Sequence, residues 1–297
     1  MASAELEQLI AGLRAGGPDL AAPPEEARPA FEALLATLPV SLDLRFDPVS
    51  LGGVPGLRTV APGSAEDRAL LYLHGGGYVV GSAQGYRGLA AELARAAGAT
   101  GFAIDYRLAP DHRFPIAIED AVSAYAALIE HGFTPDRIAL AGDSAGGGLA
   151  LALLVALRDR DLPLPSAALL LSPWTDLACD SPSMTGKAAE DPSLNHQALR
   201  VCADRYRGDA DVRTPLASPL HADLRGLPPL LIQVGSAEIL LDDAVDTARA
   251  AGAAGTSVRL EIWPDMPHVW HAFAFILREG RDAIAVAGRF LADHLGA

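Results

Sequence analysis

Arg137-Ile138-Ala139-Leu140-Ala141-Gly142-Asp143-Ser144-Ala145-Gly146-Gly147-Gly148 is the stretch whose reading decides the fold. Ile138 to Ala141 is an apolar run of strand length, and Leu149 to Leu157 is apolar and rich in good helix formers. Between them lies Gly-x-Ser-x-Gly, in the strand–turn–helix setting of a nucleophile elbow. Small residues two before and two after Ser144 let strand and helix approach closely. The serine is thereby forced into a strained conformation with its hydroxyl presented. A glycine-rich strand–helix loop with no chemistry would show the same letters, so the rest of the chain has to decide.

Working outward, apolar strand-length runs recur on both sides of the elbow. Ala69–Leu73 precedes it, followed by a helical stretch from Tyr86 to Ala97, a strand from Thr100 to Asp105 and a helix from Ile116 to His131. After it come strands at Ala167–Leu171, Leu230–Val234 and Ser257–Ile262, and a closing helix from about Asp282 to Leu295. Leu42–Phe46 alternates like an edge strand, and Gly52–Gly56 turns into Leu57–Val60. Strands alternating with helices of this length predict an α/β fold: a mostly parallel sheet of about eight strands covered on both faces.

Two segments stand outside that alternation. Residues 1–45 read as helical, with breaks at Gly16-Gly17-Pro18 and Pro23-Pro24; Met1 to Gly16 is amphipathic and lacks the basic start of a secretion signal. Between the strands at 167–171 and 230–234 lie Pro-, Asp- and Ser-rich residues with one helical core, Gln197 to Tyr206, too long for an ordinary connection. The expected division is 1–45 as N-terminal cap helices, 180–216 as an inserted cap segment, and 46–179 with 217–297 as the catalytic domain.

Bulk properties narrow the function. The 297 residues carry a net charge of −14 with no basic stripe, which argues against nucleic acid. Hydrophobic residues make up 50%, ample for a large core, yet no apolar run approaches the ~20 residues that span a bilayer. The cytoplasm is the expected compartment. Cys179 and Cys202 are the only cysteines, without metal or redox spacing, and a disulfide between them is not expected there.

A serine nucleophile needs a base, an orienting acid and an oxyanion hole, and α/β hydrolases order them Ser, acid, His. Three histidines lie late enough. His294 falls in the terminal helix and reads as a solvent-facing residue. His268, in Trp263-Pro264-Asp265-Met266-Pro267-His268, lies in a loop just past a strand and is preferred as base over His271, which falls where a helix begins. Glu238, four residues past the strand 230–234, is the candidate acid; Asp242 is the alternative, and it and Asp243 also read as helix caps. His74-Gly75-Gly76-Gly77, directly after a central strand, supplies N–H groups that would join that of Ala145 in holding an oxyanion. His74 itself reads as a brace for that loop.

At this point the chain resembles the hormone-sensitive-lipase-like (bacterial family IV) carboxylesterases of the α/β-hydrolase superfamily. The resemblance rests on His74–Gly77, Asp105–Pro115, Gly142–Gly147, Ser172-Pro173-Trp174, Ala217-Ser218-Pro219 and His268–Phe273, in the family's order. It implies Ser144 as nucleophile, His268 as base, Gly76, Gly77 and Ala145 as oxyanion donors, and a helical cap. It also implies short- to medium-chain acyl esters as small-molecule substrates, no metal or organic cofactor, and a homodimer through the sheet edge. Where the family has Asp-Pro-Leu, this chain reads Glu238-Ile239-Leu240, making the acid a glutamate. Asp105, Arg107 and Asp120, in family-like segments, are expected in structural ion pairs. Amide or lactone hydrolysis on the same elbow, and a non-catalytic ligand receptor, are the competing functions.

Overall fold

The computed structural model describes residues 3–296. In chain order the elements are α1 Ala4–Arg14, α2 Pro24–Leu35, β1 Arg45–Leu51, β2 Val54–Val60, β3 Ala65–Leu73, α3 Ala83–Ala96, β4 Ala99–Ile104 and α4 Ile116–Glu130. There follow β5 Ile138–Asp143, α5 Ala145–Asp159, β6 Ala167–Leu171, α6 Pro182–Gly186 and α7 His196–Arg207. The chain ends with β7 Leu230–Gly235, α8 Leu241–Ala253, β8 Val258–Trp263 and α9 Arg278–His294.

The eight strands form one sheet in the order β1-β2-β4-β3-β5-β6-β7-β8. β2 runs antiparallel to β1 and β4, and every other pairing is parallel. The period-2 geometry of a strand explains why the central runs are apolar throughout. Leu71 and Leu73 of β3, Leu140 of β5 and Leu170 of β6 point to the layer holding α4, α5 and α8. Their neighbours Leu70, Tyr72, Ala141 and Leu171 point to the layer holding α3 and α9. Helix α5 is buried without a break from Ala145 to Leu157, which accounts for its lack of a polar face.

Several boundaries differ from the sequence expectation. The first strand is Arg45–Leu51, displaced from 42–46, because its register is fixed by the two-residue hairpin at Gly52-Gly53 that pairs Leu51 with Val54. Leu42 is left fully exposed. Helix α1 begins at Ala4, capped by the Ser3 hydroxyl; Met1 and Ala2, included in the expected helix, lie outside the described residues. The 180–216 stretch holds α6 in addition to α7. Cys179 and Cys202 are both free and buried.

The N-terminal and inserted segments are tied together and to the glycine loop after β3. Arg205 of α7 donates to the carbonyls of Leu20 and Ala21 at 3.0 and 2.9 Å. Arg28 of α2 donates to Val79 O at 3.0 Å and Ala109 O at 2.9 Å. The rings of Tyr78 and Tyr206 stack at 3.7 Å, fixing α7 over that loop. Leu6 and Leu9 of α1 pack on Met266, Trp270 and Leu277, on either side of His268.

The elbow depends on missing side chains. A Cβ at Gly146 would lie 2.0 Å from Leu73 O, and one at Gly142 would lie 2.2 Å from Gly146 O. Gly146→Ala must therefore push α5 off β3. We expect it to cost about 1–3 kcal/mol, read as a lower urea midpoint at unchanged slope. A variant as stable as the parent would show that strand and helix are not held in contact.

Candidate active site

The candidate residues sit at the C-terminal ends of five strands that are neighbours in the sheet, β3, β5, β6, β7 and β8. Ser144 lies between the last residue of β5 and the first of α5, with φ 53° and ψ −122°. A non-glycine residue holds such a conformation only where its surroundings impose it. Its N–H donates to Leu171 O at 2.8 Å, and its carbonyl accepts from Gly148 N at 3.1 Å and Trp174 N at 2.9 Å. The backbone is fixed on both sides, while Oγ has no hydrogen-bond partner among the described residues.

Glu238 and His268 come together. His268 Nδ1 lies 2.7 Å from Glu238 Oε2, and the Glu238 carboxylate is wholly buried. Its other oxygen accepts from Gly235 N at 2.7 Å and from Ser172 Oγ at 2.8 Å. Glu238 lies in the turn from Ser236 to Leu240, and from there the longer glutamate side chain meets the imidazole. Burial works against a charged His268, but Glu238, with Asp191 and Asp143, outweighs it and raises the pKa above 6.5.

The loop carrying His268 must reach back across the sheet, because β8 is three strands from β5 at about 4.8 Å per strand. Two contacts hold that excursion. A Cβ at Gly235 would strike Met266 O at 2.0 Å, so only glycine lets the loop cross the end of β7. Val269, in the left-handed region at φ 49°, then donates its N–H to Ser172 Oγ at 3.2 Å. Ser172 is the residue after β6, beside β5, so the imidazole loop is anchored next to Ser144.

The glycine loop lies on the other side. Gly76 and Gly77 take φ values of 105° and 60°, conformations that side chains rarely adopt. Among the described residues neither their N–H groups nor that of Ala145, first residue of α5, has a hydrogen-bond acceptor. The N-terminus of α5 adds its partial positive charge to the Ala145 donor. Asp143 ties loop to elbow: its Oδ1 accepts from Gly75 N at 2.9 Å and from the Tyr72 hydroxyl. Burial pushes the Asp143 pKa up to about 6, against the pull of those donors and of His268.

The remaining candidates fall elsewhere. Asp242 accepts Ser183 N at 2.8 Å, and Asp243 accepts the N–H groups of Thr175 and Asp176, so both carboxylates bind backbone away from the imidazole. His271 bonds Gln233 Oε1 at 3.0 Å beneath the loop, and burial lowers its pKa to about 3. His294 is not solvent-facing: it is half-buried, with Nδ1 at 2.8 Å from Phe290 O. His74 is sandwiched between Tyr106 and Tyr86 with Nδ1 on Gly75 O, and burial lowers its pKa to about 4, leaving a neutral brace. Arg107 and Asp120 form the expected ion pair, but Asp105 instead accepts Ala83 N at the start of α3. Ser172 and Asp143 were given no role of their own from the sequence, although both lie in family-like segments, Ser172-Pro173-Trp174 and Gly142–Gly147, and that was the available signal.

Comparison with known proteins bears on what this geometry serves. Residues 70–272 match the alpha/beta hydrolase fold family. The chain belongs to that family. It is 54% identical over 237 residues to an acetyl-hydrolase of Streptomyces hygroscopicus, covering 80% of this chain and 79% of that one. It is 35% identical to an esterase of Acinetobacter venetianus, covering 90% and 88%. A solved esterase of the bacterial hormone-sensitive lipase family superposes with a TM-score of 0.96 at 47% identity, over 99% of both chains. This α/β hydrolase is a carboxylic ester hydrolase of the hormone-sensitive-lipase-like group, and no described helix is long and apolar enough to cross a membrane.

Ser172→Ala removes a donor to Glu238 and the acceptor of Val269 N–H in one change. We expect a stability loss of about 1–3 kcal/mol and a kcat lowered by roughly tenfold. Denaturant titration and initial rates check both; a variant with full kcat would free Ser172 of any part in holding the imidazole loop.

Proposed function

We propose that this hydrolase cleaves short- to medium-chain acyl esters through a Ser144–His268–Glu238 triad and an acyl-enzyme intermediate. The observation that carries the reading is the buried Glu238–His268 hydrogen bond on a loop fastened to Ser172, beside the strained Ser144. Glu238 fixes the imidazole with Nδ1 protonated, leaving Nε2 free to accept a proton. Ser144 Oγ attacks the ester carbonyl as its proton passes to His268. The N–H groups of Gly76, Gly77 and Ala145 receive the oxyanion, and His268 returns the proton to the departing alcohol. Water then cleaves the acyl-enzyme by the same route. Each oxyanion donor is worth a few kcal/mol in reactions of this type, about 2.7–4.

The N-terminal residues 1–45 and the insertion 180–216 act in this reading as a cap over the catalytic body, residues 46–179 and 217–297. The ties from Arg205, Arg28 and the Tyr78–Tyr206 stack support it. Short acyl groups are favoured by two likenesses: the Streptomyces relative is named an acetyl-hydrolase, and a solved esterase with TM-score 0.95 was soaked with p-nitrophenyl butyrate. A homodimer through the free edge of β8, where Ile262 is 47% exposed, fits the same picture.

Ser144→Ala should keep the parent's melting temperature while kcat on p-nitrophenyl butyrate falls by about ten-thousandfold or more. Near-parental turnover would reject the mechanism. The pH dependence follows from His268, which must be neutral to take the serine proton. Because its pKa is raised, kcat/KM should climb with pH along a limb centred above 6.5, then level off. A limb centred below that value would contradict the Glu238–His268 coupling.

A further inference from the structure

The insertion meets the catalytic body at a point that the triad chemistry leaves unused. Asp191 lies between α6 and α7, and its residue is only 8% exposed. Oδ1 accepts the N–H groups of Ser193 and Leu194 at 2.8 and 2.9 Å. Oδ2 reaches across to accept the N–H of Ile239 at 2.8 Å. Ile239 directly follows Glu238, and its carbonyl accepts the Ser183 hydroxyl at 2.7 Å. Both backbone polar groups of Ile239 are thus held by the insertion, while Glu238 itself is held by Gly235 and Ser172.

The charge on Asp191 needs its own explanation. Among the described residues no Arg or Lys forms an ion pair with it. Burial pushes the Asp191 pKa up, against the pull of His268 and of the N–H groups of Ile239, Leu194 and Ser193. The ionisable groups in the field of His268 are Glu238 after β7, Asp143 at the end of β5 and Asp191 from the insertion, with the neutral His271 below. The positive charge that Asp191 can oppose is therefore the imidazolium, which exists while the serine proton rests on His268. An interaction that strengthens only as that charge forms accelerates the reaction without tightening substrate binding.

We propose that Asp191 is a positioning residue for the Ser144–His268–Glu238 triad, locking the Glu238 turn from the insertion and providing a second fixed anion for the imidazolium. The inference rests on the triad reading above. It makes the insertion a part of the catalytic apparatus and not only a cover over the catalytic body.

The experiment compares pH profiles of kcat and KM for the full-length enzyme and four variants. Asp191→Asn keeps the shape and one accepting oxygen but removes the charge. It should lower kcat by roughly tenfold with KM changed by less than about threefold. Losing an anion near His268 lowers the imidazole pKa, so the acid limb of kcat/KM should move to lower pH by about half a unit or more. Asp180→Asn, which breaks the exposed pair with Arg213 in the same insertion, should leave the limb in place. Asp191→Ser, also uncharged and able to accept locally from the Ser193 or Leu194 N–H through its hydroxyl, gives the same reading if Asp191→Asn does not fold. A lower melting temperature with an unmoved limb and unchanged kcat would make Asp191 a turn residue only and overturn the proposal. His268→Ala separates the two levels: if it still turns over, the triad reading falls and this inference with it. An inactive His268→Ala beside an unmoved Asp191→Asn limb overturns the Asp191 role alone.

Discussion

The contact between the first turn of α5 and the end of β3 is the constraint on which the rest of the structure depends. Gly146 rests against the carbonyls of Leu73 and His74, and Gly142 against that of Gly146. With no room for a Cβ at either place, the chain reverses direction within a few residues, and Ser144 is driven to a positive φ. The strain is borne by a residue whose backbone bonds both β6 and α5, so it cannot relax by local unwinding. The same contact sets the distance between Ala145 N–H and the glycine loop, because β3 leads directly into that loop. Asp143 strengthens the link from within the elbow by binding Gly75.

The second half of the site solves a problem of reach. Parallel strands deliver their functional residues to one edge of the sheet, but at fixed lateral spacing. Glu238, in the turn after β7, and His268, beyond β8, lie too far from β5 for direct contact unless a loop folds back. Gly235 gives that loop passage, Val269 fixes its turn, and Ser172 joins it to Glu238 through one hydroxyl. The insertion then closes on the Glu238 turn through Ser183 and Asp191. A buried Glu–His pair is costly unless its lone pairs are satisfied, and here each carboxylate oxygen has a donor.

Much of this was legible in the chain. The apolar runs of β3, β5, β6 and β7 announce strands buried on both faces, and Gly142-Asp143-Ser144-Ala145-Gly146 and His74–Gly77 carry their geometry in their glycines. Chain order left Glu238 and Asp242 both open as partners of His268, and the structure pairs the imidazole with Glu238 while Asp242 binds Ser183 N–H. What was not legible depends on register and on long-range hydrogen bonds. β1 was misplaced because alternation at Leu42–Phe46 imitates a strand, whereas the Gly52-Gly53 hairpin sets the true pairing. His294 looks exposed by periodicity but turns back to bond its own helix. Asp105 lies near Arg107 in sequence yet is used to hold the N-terminus of α3. Ser172 lies in the family-like Ser172-Pro173-Trp174 and Asp191 has ordinary neighbours, but the contacts that give either a part in the site are with partners 97 and 48 positions away.

The most direct measurement of the central claim, that folding singles out one hydroxyl for attack, is covalent labelling with a fluorophosphonate followed by intact mass and peptide mapping. The account predicts a single adduct per chain on the peptide containing Ser144, formed at a rate that falls when His268 is protonated. An adduct on another residue, or continued ester hydrolysis in a chain that takes up no label, would contradict it.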